Sequence, residues 1–230
     1  MKDGFNFFWG ITSFLIIFYS ISLAGNDWEL AKSKDGINVY TKDVDGSNIK
    51  ECLAIAYIDA PVEVVAEVLI DIPAYIYWMP KCKDSGYDHK DDDYNLVFYT
   101  ITNLPWPVSD RLAVFEVKSA IDFDNGTYIH YFNPTNESKV TFKKKYVRME
   151  LLGHWDYKRV DPNRTFFSYQ SKVNIRGHLP ATIINLFFKN SLIDMMKGMQ
   201  RMVRKEKYIK MAKDRFSAQK TSAYEQQEFN

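Results

Sequence analysis

Arg111 is the polar residue whose setting in the sequence singles it out for chemistry. It opens the stretch Arg-Leu-Ala-Val-Phe-Glu-Val-Lys, residues 111–118, which reads as a strand with side chains alternating between two faces. Arg111, Ala113, Phe115 and Val117 share one face, and Leu112, Val114, Glu116 and Lys118 share the other. The second face ends in charges, so the first is expected to point inward and carry the guanidinium with it. A buried cation is costly unless it meets a carboxylate, carbonyls, water or a ligand's polar group. A structural ion pair, with Glu150 as the candidate acid, and a ligand anchor both remain open. The other residue types that do chemistry are scattered. The four histidines, His89, His130, His154 and His178, stand in separate elements without HxxxH or HxH spacing. The chain has no GxSxG elbow, GxGxxG turn or Walker-type loop. Glu150 and Asp156 share a strand face but lie about 20 Å apart at ~3.3 Å per residue, too far for a glycosidase pair. Asp91-Asp92-Asp93 reads as a hairpin tip. Cys52 and Cys82 form no CxxC or Cys/His ligand cluster, and their spacing does not fix a disulfide. The expectation is a protein without catalytic residues, metal or cofactor.

Composition agrees with a binding role. Of 230 residues, 46% are hydrophobic and 16% aromatic, enough for one sizeable core and a lined cavity besides. With a net charge of +1, nothing global argues for nucleic acid or a strongly anionic partner, and no nucleic-acid partner is expected. Charge is uneven, however. Between Lys189 and Arg215 there are nine Lys or Arg against Asp194, Glu206 and Asp214. That run is either a solvated helix face or a surface for anionic membrane headgroups.

At the N-terminus, Lys2 precedes an apolar run from Phe5 to Ala24 that closes on Ser22-Leu23-Ala24. Residues 1–24 read as a signal peptide cleaved before Gly25, with residues 5–24 as an uncleaved membrane anchor the alternative. Either places the following domain, 25–216, in an exported compartment, periplasmic or secreted. The tail 217–230 is polar and is expected to fray.

The elements that must position Arg111 follow from pattern. Strands are expected over Trp28–Lys42, broken by Asp35-Gly36, and over Asn48–Asp59. Ala60–Asp71 has helical spacing with Pro61 at its start, and a short helix follows between Pro73 and Pro80. Four or five strands come next, ending with Thr165–Val173. On the strand leading to Tyr157, Val147, Met149, Leu151, Gly153 and Trp155 share the expected inner face. A long amphipathic helix closes the chain. Ile184, Phe187, Phe188, Leu192, Met195, Met196, Met199, Met202 and Val203 fall on its apolar half. Lys189, Asn190, Asp194, Lys197, Gln200, Arg201, Arg204 and Lys205 fall on the other. A curved antiparallel sheet needs one face covered, and this helix is the element long enough to do it. Its methionines would give such a lid an adaptable surface, unless they are ordinary core.

The stretches KDGINVYTKDVDGSNIKE, APVEVVAEVLID with YWMPKC, PWPVSDR, LLGHWDY and RGHLPATIINLF occur in the order and spacing of START domains. From about Trp28 to Arg215 the chain resembles that lipid-transfer family, as an exported bacterial member. The resemblance implies an α+β helix-grip fold, a curved antiparallel sheet around a long C-terminal helix. It also implies an internal tunnel for one lipid or sterol-like molecule, held without catalysis by a monomer. Candidate ligand contacts are Arg111, Tyr99, Phe115, Met149, Trp155, Phe167, Tyr169, Phe187, Phe188, Leu192, Met195 and Met199. Other helix-grip proteins are enzymes of the cyclase or aromatase kind, which here would require Arg111, His154 and Tyr169 to converge. A membrane-tethered module that binds without transferring is a further alternative. The family often pairs its cavity arginine with an acid on the preceding strand, whereas Asn95–Thr102 contains none. The family also commonly has Asp after that arginine where this chain has Leu112, and Gly-Gly where it has Arg176-Gly177. These differences bear on the ligand.

Overall fold

The computed structural model describes residues 27–215, apart from 105, 143, 144 and 178. The segment 1–24 and the tail 217–230 lie outside the described residues. The order is β1 (Glu29–Lys34), β2 (Ile37–Val44), β3 (Ser47–Ile58), α1 (Val62–Ile70), a 3-10 segment (Ile72–Tyr77), β4 (Cys82–Lys90), β5 (Leu96–Thr102), β6 (Arg111–Asp122), β7 (Thr127–Pro134), β8 (Val147–Arg148), β9 (Glu150–Asp161), β10 (Arg164–Asn174) and α2 (Ala181–Met202). Helix resumes over 206–215. The strands make one sheet in the order β1-β2-β3-β10-β9-β7-β6-β5-β4, with β8 beside β6. The expected helix-grip architecture is present.

Local chemistry explains the joints. Asp35 and Gly36 both take positive φ, 53° and 76°, as a two-residue hairpin of the primed kind requires. Asp92 accepts the backbone N–H groups of Tyr94 and Asn95, and Asp93 pairs with Lys90, so the acidic triplet is tied into its own hairpin. Both cysteines are free thiols, and burial pushes each up to about 11.

One strand differs from expectation. Residues 147–161 do not run as a single strand: Val147 and Arg148 pair in parallel with Arg111 and Leu112, while Glu150–Asp161 runs between β10 and β7. Met149, at the break, donates its N–H to the Leu112 carbonyl.

Helix α2 packs across β1, β2 and β3 and reaches α1. At Gly198 it comes so close that a Cβ there would lie 2.5 Å from the Trp78 carbonyl oxygen. Behind it lies the core, with Tyr157, Phe167, Met196 and Met199 among its fully buried side chains. A smaller cluster, Val97, Ile101, Leu112 and Val114, covers the opposite face of β5 and β6 and packs against Phe142 and Tyr146. The segment carrying these aromatics is held by Asp88, which accepts the N–H groups of Lys139 and Val140 and the Ser138 hydroxyl. Burial raises the Asp88 pKa, but those hydrogen bonds and His89 outweigh it and hold the carboxyl well below its ordinary range.

Candidate functional site: an apolar cavity with one buried arginine

Between the sheet and the first half of α2 the side chains do not meet. They leave about 900 Å³ of empty space, its open mouth included. Alternation builds the sheet side. Phe98, Thr100 and Thr102 point in from β5, and Arg111 and Phe115 from β6. Phe132, Leu151, Trp155 and Tyr169 come from β7, β9 and β10, with Met149 at the β8–β9 break. The helix supplies Phe187, Phe188, Ser191, Leu192 and Met195, and Tyr75 and Met79 close a flank.

Most of the expected contacts are thus brought together, but Tyr99, Phe167 and Met199 are not. Tyr99 lies on the outer face of β5, edge-on to Phe142 at 5.0 Å. The register explains it: Thr102 stands opposite Arg111 and Phe98 opposite Phe115, so Tyr99 shares the face of Val114. Phe167 is fully buried behind Trp155, ring to ring at 5.5 Å. Met199 lies a turn beyond Met195, where α2 has closed onto Trp78, and is fully buried. The methionine stripe is therefore mainly core: Met195 faces the cavity, and Met196, Met199 and Met202 do not. Sequence reasoning missed Phe98, Thr100 and Thr102, although pairing β5 with β6 through the 103–110 loop would have placed them beside Arg111.

Arg111 is 3% exposed. Its Nε donates to the Ile175 carbonyl at 2.8 Å, Nη2 to that of Arg176 at 3.1 Å, and Nη1 to that of Ser109. Burial pulls its pKa down from the ordinary value, yet an arginine stays charged in a protein. The ion pair with Glu150 is not formed. Glu150 holds Arg176 and Asn174 instead. Asp110 is held by Lys83 at 2.9 Å.

The histidine nearest the cavity has settled partners. His130, under a smaller pocket that shares Tyr75, Phe98, Phe132 and Trp155 with the main cavity, is buried. Ser119 donates its hydroxyl to the Tyr94 carbonyl, so its oxygen accepts from His130 Nδ1, and Nε2 accepts the Tyr157 hydroxyl. That direction leaves Ser119 without a base. Burial pushes His130 down to about 4. His154 lies on the outer face of β9 beside Tyr131, ring to ring at 5.8 Å, whereas Tyr169 faces the cavity. Arg111, His154 and Tyr169 therefore do not converge. Among the described residues, no group of three or more His, Cys, Asp and Glu could hold a metal ion.

A family model described as START domain matches residues 18–208. The chain belongs to the START domain family. This START protein is 27% identical over 183 residues to an uncharacterized protein of Pseudomonas aeruginosa, covering 77% of this chain and 89% of the other. Its fold is similar to that of a STAR-related lipid transfer protein from Xanthomonas axonopodis, with TM-score 0.70 and 25% identity over 78% of this chain and all of that one. Human STARD10 superposes with TM-score 0.71 at 20% identity, covering 80% of this chain and 76% of that one. As in the family's helix-grip fold, the cavity lies beneath the C-terminal helix.

Proposed function

We propose that this START protein is a non-enzymatic carrier that buries one lipid or sterol-like molecule and moves it to or from membrane surfaces in an exported compartment. The observation that carries the reading is the cavity itself, apolar on nearly every side and with a single buried charge at Arg111. A ligand that gives up about 300 Å² of apolar surface gains roughly 7 kcal/mol at ~25 cal/mol per Å². That is close to what micromolar binding requires. The similarity to the STAR-related lipid transfer protein of Xanthomonas axonopodis supports the same reading.

Entry and release fall to the first turns of α2 and to the 103–110 loop, which border the cavity through Phe187 and Leu104. Both carry exposed apolar side chains: Trp106 is 93% exposed, Ile183 62% and Leu186 53%. An amphipathic tryptophan and two aliphatic residues at a cavity rim suit contact with a bilayer interface. Arg201, Arg204 and Lys205 are exposed near the far end of α2 and would add attraction to anionic headgroups. Arg204 and Lys205 lie in the turn after α2 and not on the helix, and Lys197 is tied to Asp35. Residues 5–24, whether cleaved or kept as an anchor, would deliver the domain to that compartment.

Native mass spectrometry of protein purified from its own host tests the proposal. A stoichiometric, solvent-extractable lipid or sterol is expected. A folded protein that carries none, and takes up none from mixed vesicles, would sink the carrier reading.

A further inference from the structure

We propose that the polar end of the ligand is an anion, a carboxylate on an otherwise apolar body, held by Arg111. The inference rests on the carrier reading and sharpens it. Its basis is charge and hydrogen-bond accounting around one side chain.

Arg111 is all but sealed from water, and among the described residues no carboxylate lies within ion-pair distance of it. Glu150, on β9, and Asp110, next to Arg111 in the chain, are committed elsewhere, Glu150 to Arg176 and Asp110 to Lys83. The turn after β10 supplies dipoles in place of a charge. Arg176 and Gly177 both take positive φ, 49° and 84°, and the carbonyls of Ile175 and Arg176 accept from Nε and Nη2. A Cβ at Gly177 would lie 3.5 Å from Nη2, in ordinary contact, so the turn lies directly against the guanidinium. Carbonyl dipoles ease the cost of burying a cation but do not cancel its charge.

The donors point the same way. A guanidinium carries five N–H groups. Ile175, Ser109 and Arg176 take three, which leaves one on Nη1 and one on Nη2. Two such donors on neighbouring nitrogens match the two oxygens of a carboxylate. Thr102, opposite Arg111 on β5, and Ser191 on α2 add hydroxyls to the lining, whose remainder is mostly apolar. A sterol hydroxyl or an ester carbonyl could accept a hydrogen bond there but would leave the cation uncompensated.

The test compares dodecanoate, dodecanol and methyl dodecanoate by calorimetric titration at neutral pH, where the acid is ionised. The wild-type chain should bind dodecanoate at least about tenfold more tightly than either neutral analogue, as a charge-assisted pair predicts. Arg111→Met should lose that preference and bind dodecanoate no more tightly than dodecanol. Arg111→Lys, which keeps the charge and loses the fork, should retain part of the preference. If Arg111→Met fails to fold, the wild-type comparison still decides. Equal or weaker binding of dodecanoate relative to dodecanol would overturn the anion inference and leave the carrier reading standing. Failure of all three to bind, in a protein that also takes up no lipid, would bring down both.

Discussion

The two halves of α2 have the same amphipathic pattern and opposite situations. Over residues 192–202 the helix is largely built in: Leu192, Ile193, Met195, Met196, Gly198, Met199 and Met202 are all buried, and of these only Leu192 and Met195 also border the cavity. The chain beyond is latched to α1, through Lys207 and Tyr208 on Asp71 and Arg215 on Glu67. Over residues 181–191 only Ile184 is fully buried, and Phe187 and Phe188 border empty space. This half starts at Pro180 with no side-chain cap and no acid in its first turn. A few polar contacts hold it, Lys32 with Asn190 at 2.6 Å and Asn185 with the Lys50 N–H at 3.0 Å. On the proposed carrier reading, this difference would make the helix a hinged lid. One end belongs to the core, and the other would be stabilised by whatever fills the cavity.

The largest expected effect comes from the latch. Glu67 is a fully buried carboxylate in the middle of α1, and Arg215, partly exposed, is its partner. Arg215→Met abandons a buried charge and should cost about 3–5 kcal/mol in denaturant unfolding. Glu67→Gln should cost distinctly less, because Arg215 can turn to water and keeps Asp93. Equal losses would mean that the pair is not asymmetric in burial.

Acid should weaken the same anchored end. His130 sits under the small pocket lined by Leu69 and Ile70 of α1. Its folded pKa, about 4, lies below its ordinary value of 6.5, so the unfolded chain binds more protons between the two. That contribution is fully present above about pH 6.5 and is lost as pH falls toward about 4, by roughly 3 kcal/mol in all at ~1.4 kcal/mol per unit. Melting followed over this window should show the loss in the wild type. A His130→Phe variant should lose most of that dependence between about pH 6.5 and 5 if the titration is its source.

Within α2 the comparison can be sharpened by pairing two truncations. Met199→Ala opens a hole in packed core and should cost about 2–5 kcal/mol. Phe187→Ala removes a side chain that already borders a void. It should cost less than about 1 kcal/mol and weaken ligand binding about tenfold. If Phe187→Ala destabilises as much as Met199→Ala, the two halves are equally built in.

The smallest effect on stability is expected at the rim. Trp106→Ser should leave unfolding within about 0.5 kcal/mol of wild type and slow transfer to vesicles. Arg201→Glu with Arg204→Glu should slow transfer to anionic vesicles in particular, with affinity in solution unchanged. Equal rates to neutral and anionic vesicles would remove the electrostatic part of docking.

Much of this was legible in the sequence. Alternation on β6 and β9 put Arg111, Phe115, Leu151 and Trp155 on the inner face, and the motif order marked the fold. Alternation divides a strand into two faces without saying which is inner, and β5 has aromatic or aliphatic residues on both. Its orientation is fixed by register with β6, and so Tyr99 was placed inside and Phe98 overlooked. The helix posed a similar problem. Its apolar arc runs unbroken from Ile184 to Met202, and nothing in the arc says where packing stops and cavity begins. That boundary is set by the approach of Gly198 to the Trp78 carbonyl, a contact between residues far apart in sequence. The Arg111 acceptors were hidden for a different reason, since backbone carbonyls leave no mark in a residue pattern.

Hydrogen exchange along α2, with and without bound ligand, tests the hinged lid most directly. The account predicts that in the free protein the backbone amides of residues 185–191 exchange much faster than those of 194–202. Ligand should slow the first set strongly and the second hardly at all. Uniform protection along the whole helix in the free protein, or ligand protection spread evenly over both halves, would contradict it.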